Sequence, residues 1–193
     1  LLYAVWAEAG LFPTADLAKL RTIGSDLEGH PTPRLPFVDV ATGSLGQGLS
    51  VGVGMALAGR LDQLDYNTYV LLGDGEIAEG AVWEAASLAG IYKLNNLIAV
   101  VDANRLGQSQ ATAFGHDLGV YRKRFEAFGW RVEDIDGHDH EEIIEVLSGV
   151  GLGDQPLVLL AKTYKGGGVS FLQDLEGWHG KPLNADEAAR AIA

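Results

Sequence analysis

Two side chains that could hold a metal ion, Asp74 and Asn104, stand thirty residues apart in a chain of 193, and each follows an apolar run. Asp74 lies in Gly73-Asp74-Gly75, after Tyr69, Val70, Leu71 and Leu72, and Asn104 closes Asp102-Ala103-Asn104, after Leu97 to Val101. One anionic and one neutral hard oxygen donor suit a small divalent cation such as Mg²⁺, which keeps several waters and is bound largely through phosphate groups. Gly73 and Gly75 let the backbone bend sharply and come close to a ligand. From these three residues alone, an ordinary strand-to-helix turn with Asp74 as its cap remains an open alternative.

The elements needed to bring the two donors together are legible around them. Both apolar runs have the length and β-rich composition of buried parallel strands. Between them, Ala81, Ala85, Leu88, Ala89 and Tyr92 recur at helical spacing from Glu79 to Lys93. About fifteen residues rising ~1.5 Å each return the chain by some 22 Å, roughly one sheet width. Strand, helix and strand without a hairpin make a right-handed βαβ unit whose strand ends share one edge. Asp74 and Asn104 are therefore expected to meet, with the helix N-terminus aimed at the same place, a suitable spot for a diphosphate.

Composition bounds the rest. The length fits about one domain, and 47% hydrophobic with 21% charged residues supplies a core. A net charge of −12 argues against nucleic acid and anionic membranes as partners, and the absence of cysteine excludes a disulfide scaffold or thiolate metal site. The sequence has no apolar run near 18 residues and its start, LLYAVWAEAG, lacks the basic region and cleavage site of an export signal, so a cytoplasmic protein is expected.

Other candidate groups sit in loops. His30 is held between Gly29 and Pro31 in a Gly/Pro-punctuated loop from Gly24 to Pro36. TGSLGQG frees the backbone at Gly43, Ser44 and Leu45 to bond a ligand directly, ahead of a helix whose Gly52, Gly54, Ala56 and Ala58 form a thin side suited to close packing. Lys165 precedes three glycines after the strand Leu157 to Ala161 and reads as an anion-facing loop, the alternative being a flexible tether with a solvated lysine. Leu118, Tyr121, Phe125 and Phe128 give one helix an apolar face, with Arg122, Lys123 and Arg124 as a solvated face. Trp130 to Ile135 reads as a strand, and Asp139 with Glu142 as a capping-box-like start to the next helix. His138 and His140 have no metal-ligand spacing and read as structural. Leu1 to Gly10 reads as a helix already in progress, with Leu2, Val5, Trp6 and Ala9 on one face, and the helix from Asn184 has no terminator, so both ends are expected to be truncated.

The stretch GDGEIAEGAVWEAASLAGIYKLNNLIAVVDANRLGQS resembles the diphosphate-binding signature of thiamine-diphosphate enzymes, in particular that of transketolases of the animal-type branch. The segments GHP around His30 and WHGKP around His179 are similar to transketolase segments as well, and the likeness runs over nearly the whole chain. The resemblance implies an α/β fold, a parallel sheet with helices on both faces, and a single diphosphate-binding domain over residues 1–193 without its pyrimidine-binding counterpart. It implies thiamine diphosphate and Mg²⁺ as cofactors, with Ca²⁺ or Mn²⁺ as substitutes. Asp74, Asn104 and the carbonyl of Leu106 would hold the metal, and the Gly75 N–H a phosphate oxygen. Gly43, Ser44, Leu45, Lys165 and His179 would contact the cofactor, with His30 and His179 on the substrate. Glu79 would lie at a dimer interface, and Trp83 in interface or core packing.

In that family the reaction transfers a two-carbon ketol unit from a ketose phosphate to an aldose phosphate, within the pentose phosphate pathway. The expected partners are sugar phosphates and either a second copy of the chain or a complementary pyrimidine-domain subunit. The resemblance places the Glu that activates the cofactor in that other domain, so the chain alone is expected to turn over little. Two alternatives are a cofactor-binding subunit without catalysis of its own, and another thiamine-diphosphate enzyme, such as a 1-deoxyxylulose-5-phosphate synthase or a 2-oxo acid dehydrogenase component. The GHP and WHGKP segments favour transketolase over the latter. One departure stands out: the family usually carries a bulkier residue where this chain has Gly167, which predicts a looser loop.

Overall fold

The computed structural model describes residues 1–151 and 153–193. Within it, residues 1–45 and 46–193 form two compact units.

The smaller unit contains helix α1 (Leu2–Glu8) and a 3₁₀ turn at Thr14–Lys19. Its core is Leu27, Leu35 and Val38, against which Tyr3, Trp6, Phe12 and Phe37 pack. Trp6 meets Phe37 edge to face at 5.2 Å between ring centroids, and Phe12 stacks on Phe37 at 6.1 Å. The inward face of α1 is thus Tyr3, Trp6 and buried Ala7, whereas Leu2 and Val5 are exposed. This corrects the expected face: the aromatic rings at i and i+3 offer more area to bury than Leu2 and Val5, and they set the rotation of the helix.

The larger unit is a four-stranded, wholly parallel sheet made of β1 (Thr68–Gly73), β2 (Leu97–Ala103), β3 (Arg131–Asp136) and β4 (Leu157–Lys162), in the order β1-β2-β4-β3. The strands alternate with α2 (Gln47–Leu61), α3 (Gly80–Ile91), α4 (Leu118–Ala127) and α5 (His140–Ser148), and α6 (Ala185–Ile192) ends the chain. The expected α/β architecture is realised, with helices on both faces. On one face α2, α3 and α4 bury Leu49, Val53, Val82, Ala86, Tyr121 and Phe125 against Val70, Leu72, Ala99 and Val101. On the other, α5 covers Ile98, Ile135, Leu157 and Leu159. Of the turn expected over residues 151–156, residue 152 lies outside the described residues.

Close approach of helix to sheet explains the small residues. A Cβ at Gly52 would fall 2.4 Å from the Val70 side chain, so the thin side of α2, Gly52 with Ala56, packs on β1 within the chain. Gly54 and Ala58 do not share that side and are exposed. Gly90 on α3 is tighter still, since a Cβ there would sit 1.7 Å from the Phe128 carbonyl oxygen. Trp83 belongs to this packing, 5.1 Å from Phe125 and 6.1 Å from Phe128 between ring centroids.

Two readings of charged residues need correction. Asp139 caps α5 through the Glu141 and Glu142 N–H groups, but the Glu142 carboxylate accepts from Asp136 N at 2.9 Å, so the box is not reciprocal. Nor are Arg122 and Arg124 merely solvated. Arg122 donates to the Val132 carbonyl at 2.9 Å and pairs with Asp134 and Glu126, and Arg124 lies over the Phe114 ring at 4.5 Å. Strand β3, at the sheet edge, supplies the Val132 and Asp134 partners.

Candidate active site

The parallel register carries the chemistry to one edge. Gly73 pairs with Asp102, so β1 and β2 end level, and Asp74 N donates to the Asp102 carbonyl at 3.2 Å. Asp74 is 5% exposed, and its Oδ2 accepts from Arg105 N at 2.7 Å and from the Thr112 hydroxyl at 3.0 Å. The expected meeting of the two strand ends is therefore seen: the Asp74 carboxylate touches the residue that follows Asn104. Burial pushes the Asp74 carboxyl above the usual carboxylate range, partly opposed by the Thr112, Arg105 and Gly75 hydrogen bonds, with the Asp102 charge adding to the rise. Among the described residues no Lys or Arg pairs with it. It is a buried anion held by neutral donors, which is the electrostatic setting of a cation ligand.

The segment after β2 folds back on itself to present its carbonyls. Asn104 Oδ1 accepts from Leu106 N at 3.1 Å, Arg105 adopts φ 62°, and Leu106 bridges to Ala111. Thr112, whose N–H reaches the Arg105 carbonyl at 2.8 Å, is brought to Asp74 by this return. No sequence signal marks Thr112, because the contact depends on the path of the turn. Among the described residues no three His, Cys, Asp or Glu side chains converge, so any metal here relies on a single carboxylate with amide and carbonyl oxygens and on its own ligands.

The segment after β4 lies across this loop. Lys165 Nζ donates to the Leu106 carbonyl at 3.2 Å and to the Gly107 carbonyl at 3.4 Å, and is 3.3 Å from His179 Nδ1. An ammonium only donates, so Nδ1 accepts and the neutral His179 ring carries its proton on Nε2. Arg105 Nε meets Asp174 Oδ1 at 2.7 Å, tying the two segments a second time. Where an anion-facing or tethering Lys165 was expected, its head group rests on carbonyl oxygens beside His179.

Gly167 is not the point of looseness that its size predicts. A Cβ there would fall 2.9 Å from His138 Cε1, and that ring stacks on Tyr164 with centroids 6.1 Å apart while His138 Nε2 accepts from Tyr164 N at 2.9 Å. His138 thus fills the space a side chain would take and is structural, as its spacing suggested.

Glu76 was not singled out by sequence. Its carboxylate accepts from Gly46 N at 2.9 Å and from Gly73 N at 3.1 Å. It occupies a 3₁₀ turn, Glu76–Ala78, that intervenes before α3, so α3 begins six residues after Asp74 rather than directly behind it. Glu79 precedes α3 with an exposed side chain.

In the smaller unit His30 stands beside Gly43. A Cβ at Gly43, whose φ is +116°, would lie 2.8 Å from the His30 ring. Ser44 and Leu45 follow, both exposed, Leu45 by 52%. The two loop candidates read separately from sequence are thus neighbours.

Known proteins are similar to the chain over nearly its whole length. A family described as the thiamine diphosphate binding domain of transketolase matches residues 1–192. A transketolase of Pongo abelii is 52% identical over 193 residues, which are all of this chain and 31% of that protein. One of the subunits of the apulose-4-phosphate transketolase of Phocaeicola vulgatus is 41% identical over 192 residues, covering 99% of this chain and 68% of that protein. A Pichia stipitis transketolase solved in complex with sedoheptulose-7-phosphate superposes with a TM-score of 0.82 at 36% identity, over 92% of this chain and 28% of that one. The chain spans about a third of the length of the Pongo abelii and Pichia stipitis transketolases and belongs to the transketolase family, as its thiamine-diphosphate-binding domain.

Proposed function

We propose that this chain binds thiamine diphosphate through Mg²⁺ and forms the diphosphate half of a transketolase site. That site transfers a two-carbon ketol unit from a ketose phosphate to an aldose phosphate. The observation that carries the reading is the Asp74 carboxylate, 5% exposed at a parallel strand end and held by the Arg105 N–H and the Thr112 hydroxyl. Asp74, Asn104 and the Leu106 carbonyl are hard oxygen donors of the kind that suits Mg²⁺, and Ca²⁺ or Mn²⁺ in its place, provided phosphate oxygens and water complete the shell. Gly75, exposed at the end of β1, offers its N–H to a phosphate oxygen.

When bound, thiamine diphosphate supplies the nucleophile and electron sink that cleave the bond beside a ketose carbonyl. The protein's own groups bind and orient. His179, with its proton on Nε2, donates to a phosphate or substrate oxygen, and Lys165 supplies positive charge beside it. Gly43 and Ser44 offer backbone to the cofactor, Leu45 an apolar surface to its ring system, and His30 a hydrogen bond to a substrate hydroxyl. The Phocaeicola vulgatus relative, by name one subunit of a transketolase, supports the reading that the pyrimidine-binding half comes from elsewhere, in a complementary subunit or a second copy of the longer protein. Pairing of two such halves would also give exposed Glu79 an interface to occupy.

The test is calorimetric titration of thiamine diphosphate into the purified chain with and without Mg²⁺, alongside Asp74→Ala. Mg²⁺-dependent binding that Asp74→Ala weakens by about 100-fold or more is expected, as for loss of a charged ligand. Metal-independent binding, or binding indifferent to Asp74→Ala, sinks the reading. Ketol transfer should be negligible for the chain alone and appear when a pyrimidine-domain chain is added.

A further inference from the structure

We propose that Lys165 makes metal and diphosphate binding cooperative by competing with the divalent ion for the Leu106 carbonyl. The inference rests on the metal site just described. The ammonium group has three partners at close range: the Leu106 carbonyl at 3.2 Å, the Gly107 carbonyl at 3.4 Å and His179 Nδ1 at 3.3 Å. The Lys165 backbone is held as well, because Asp174 N donates to its carbonyl at 2.9 Å while the Asp174 side chain is engaged by Arg105. No carboxylate pairs with Lys165 among the described residues, and its direct partners are carbonyl and imidazole groups.

A Mg²⁺ ion binds a carbonyl oxygen at about 2.0–2.1 Å. With the ammonium retained on the same oxygen, charges of +1 and +2 would stand roughly 4–5 Å apart in a half-buried site, where like charges repel strongly. The metal alone therefore meets a cation already placed on one of its ligands. A diphosphate changes the balance. Its oxygens offer Lys165 a better partner than two carbonyls and place negative charge between the two cations. Each of the two ligands then improves the site for the other, and the coupling is reciprocal by linkage. Lys165 thus disfavours the half-loaded site, with metal but no diphosphate.

The test uses Mn²⁺ as the metal and inorganic diphosphate as the anion, with binding read by calorimetry on the 193-residue chain. In Lys165→Met, Mn²⁺ alone should bind about three- to tenfold more tightly, because a competing occupant of the ligand is gone. Inorganic diphosphate should then enhance Mn²⁺ binding less than it does in the wild type. Lys165→Gln should behave like Lys165→Met, and Lys165→Arg like the wild type, which separates loss of charge from loss of packing. Unchanged or weaker Mn²⁺ affinity in Lys165→Met, with an undiminished enhancement by diphosphate, overturns the proposal. Mn²⁺ binding that Asp74→Ala leaves unaffected overturns the metal-site reading itself, and this inference with it.

Discussion

Asp74 is delivered by a strand hydrogen-bonded along its length to β2, whereas Lys165 and His179 stand on residues 163–184, which carry neither helix nor strand. On the sheet side, position follows from register: Gly73 opposite Asp102 puts Asp74 against the segment that bears Asn104. On the loop side, position follows from a few tie points, namely Arg105 with Asp174, Lys165 with the Leu106 carbonyl, and His138 with Tyr164. A scaffold of the first kind is stiff before any ligand arrives, and one of the second kind can be rearranged by a ligand that offers better partners. The proposed anchor for the diphosphate is accordingly on the stiff side, and His179, proposed to meet a phosphate or substrate oxygen, is on the adaptable one.

The contrast can be broken most severely from the sheet side. Gly90→Ala forces a methyl against the Phe128 carbonyl, 1.7 Å from the ideal Cβ, and should cost about 3 kcal/mol or more in urea denaturation. A loss under about 1 kcal/mol would show that α3 and α4 can separate and that the stiffness is overstated.

A smaller effect of opposite sign is expected at the anchor. Asp74 has its carboxyl raised chiefly by burial, so ionisation costs stability at neutral pH. Asp74→Asn, which keeps an oxygen for Arg105 N and Thr112, should raise the melting temperature of the ligand-free chain by roughly 2–4 °C. A raised carboxyl contributes a penalty that is present above its folded pKa and disappears below the ordinary value of 3.8. The advantage of Asp74→Asn should therefore shrink as the pH falls through that window. An advantage independent of pH would assign the effect to something other than ionisation.

The least global effect belongs to the loop. Asp174→Ala removes a partly exposed ion pair and should change overall stability by less than about 1 kcal/mol. It should nevertheless speed proteolytic cleavage within residues 166–180 relative to the rest of the chain. Cleavage at the wild-type rate would mean that the other ties suffice.

Much of the stiff side was legible in the sequence, because its signals are local. Apolar runs of strand length, helical spacing between them and an acid after the first run were enough to place Asp74 beside the Asn104 segment. The adaptable side was not legible in the same way. Lys165 in a glycine-rich loop suggested an anion, yet its immediate partners are carbonyls supplied nearly sixty residues earlier. Thr112 and Glu76 carry no periodicity or motif, and their roles arise only when a return turn and a 3₁₀ turn bring them to Asp74 and to the Gly46 and Gly73 N–H groups. For α1, spacing identified a helix but not which side the neighbouring rings would bury.

The fit between His138 and Gly167 constrains the order in which this loop can change. One pocket of space is shared by two positions far apart in the chain, and the imidazole fills it beside the Tyr164 carbonyl. A larger residue at 167 would meet the His138 ring first, and after His138→Ala it would still have the Tyr164 carbonyl 3.1 Å from its Cβ. His138 is thus the side chain that must give way before a larger residue can enter at 167.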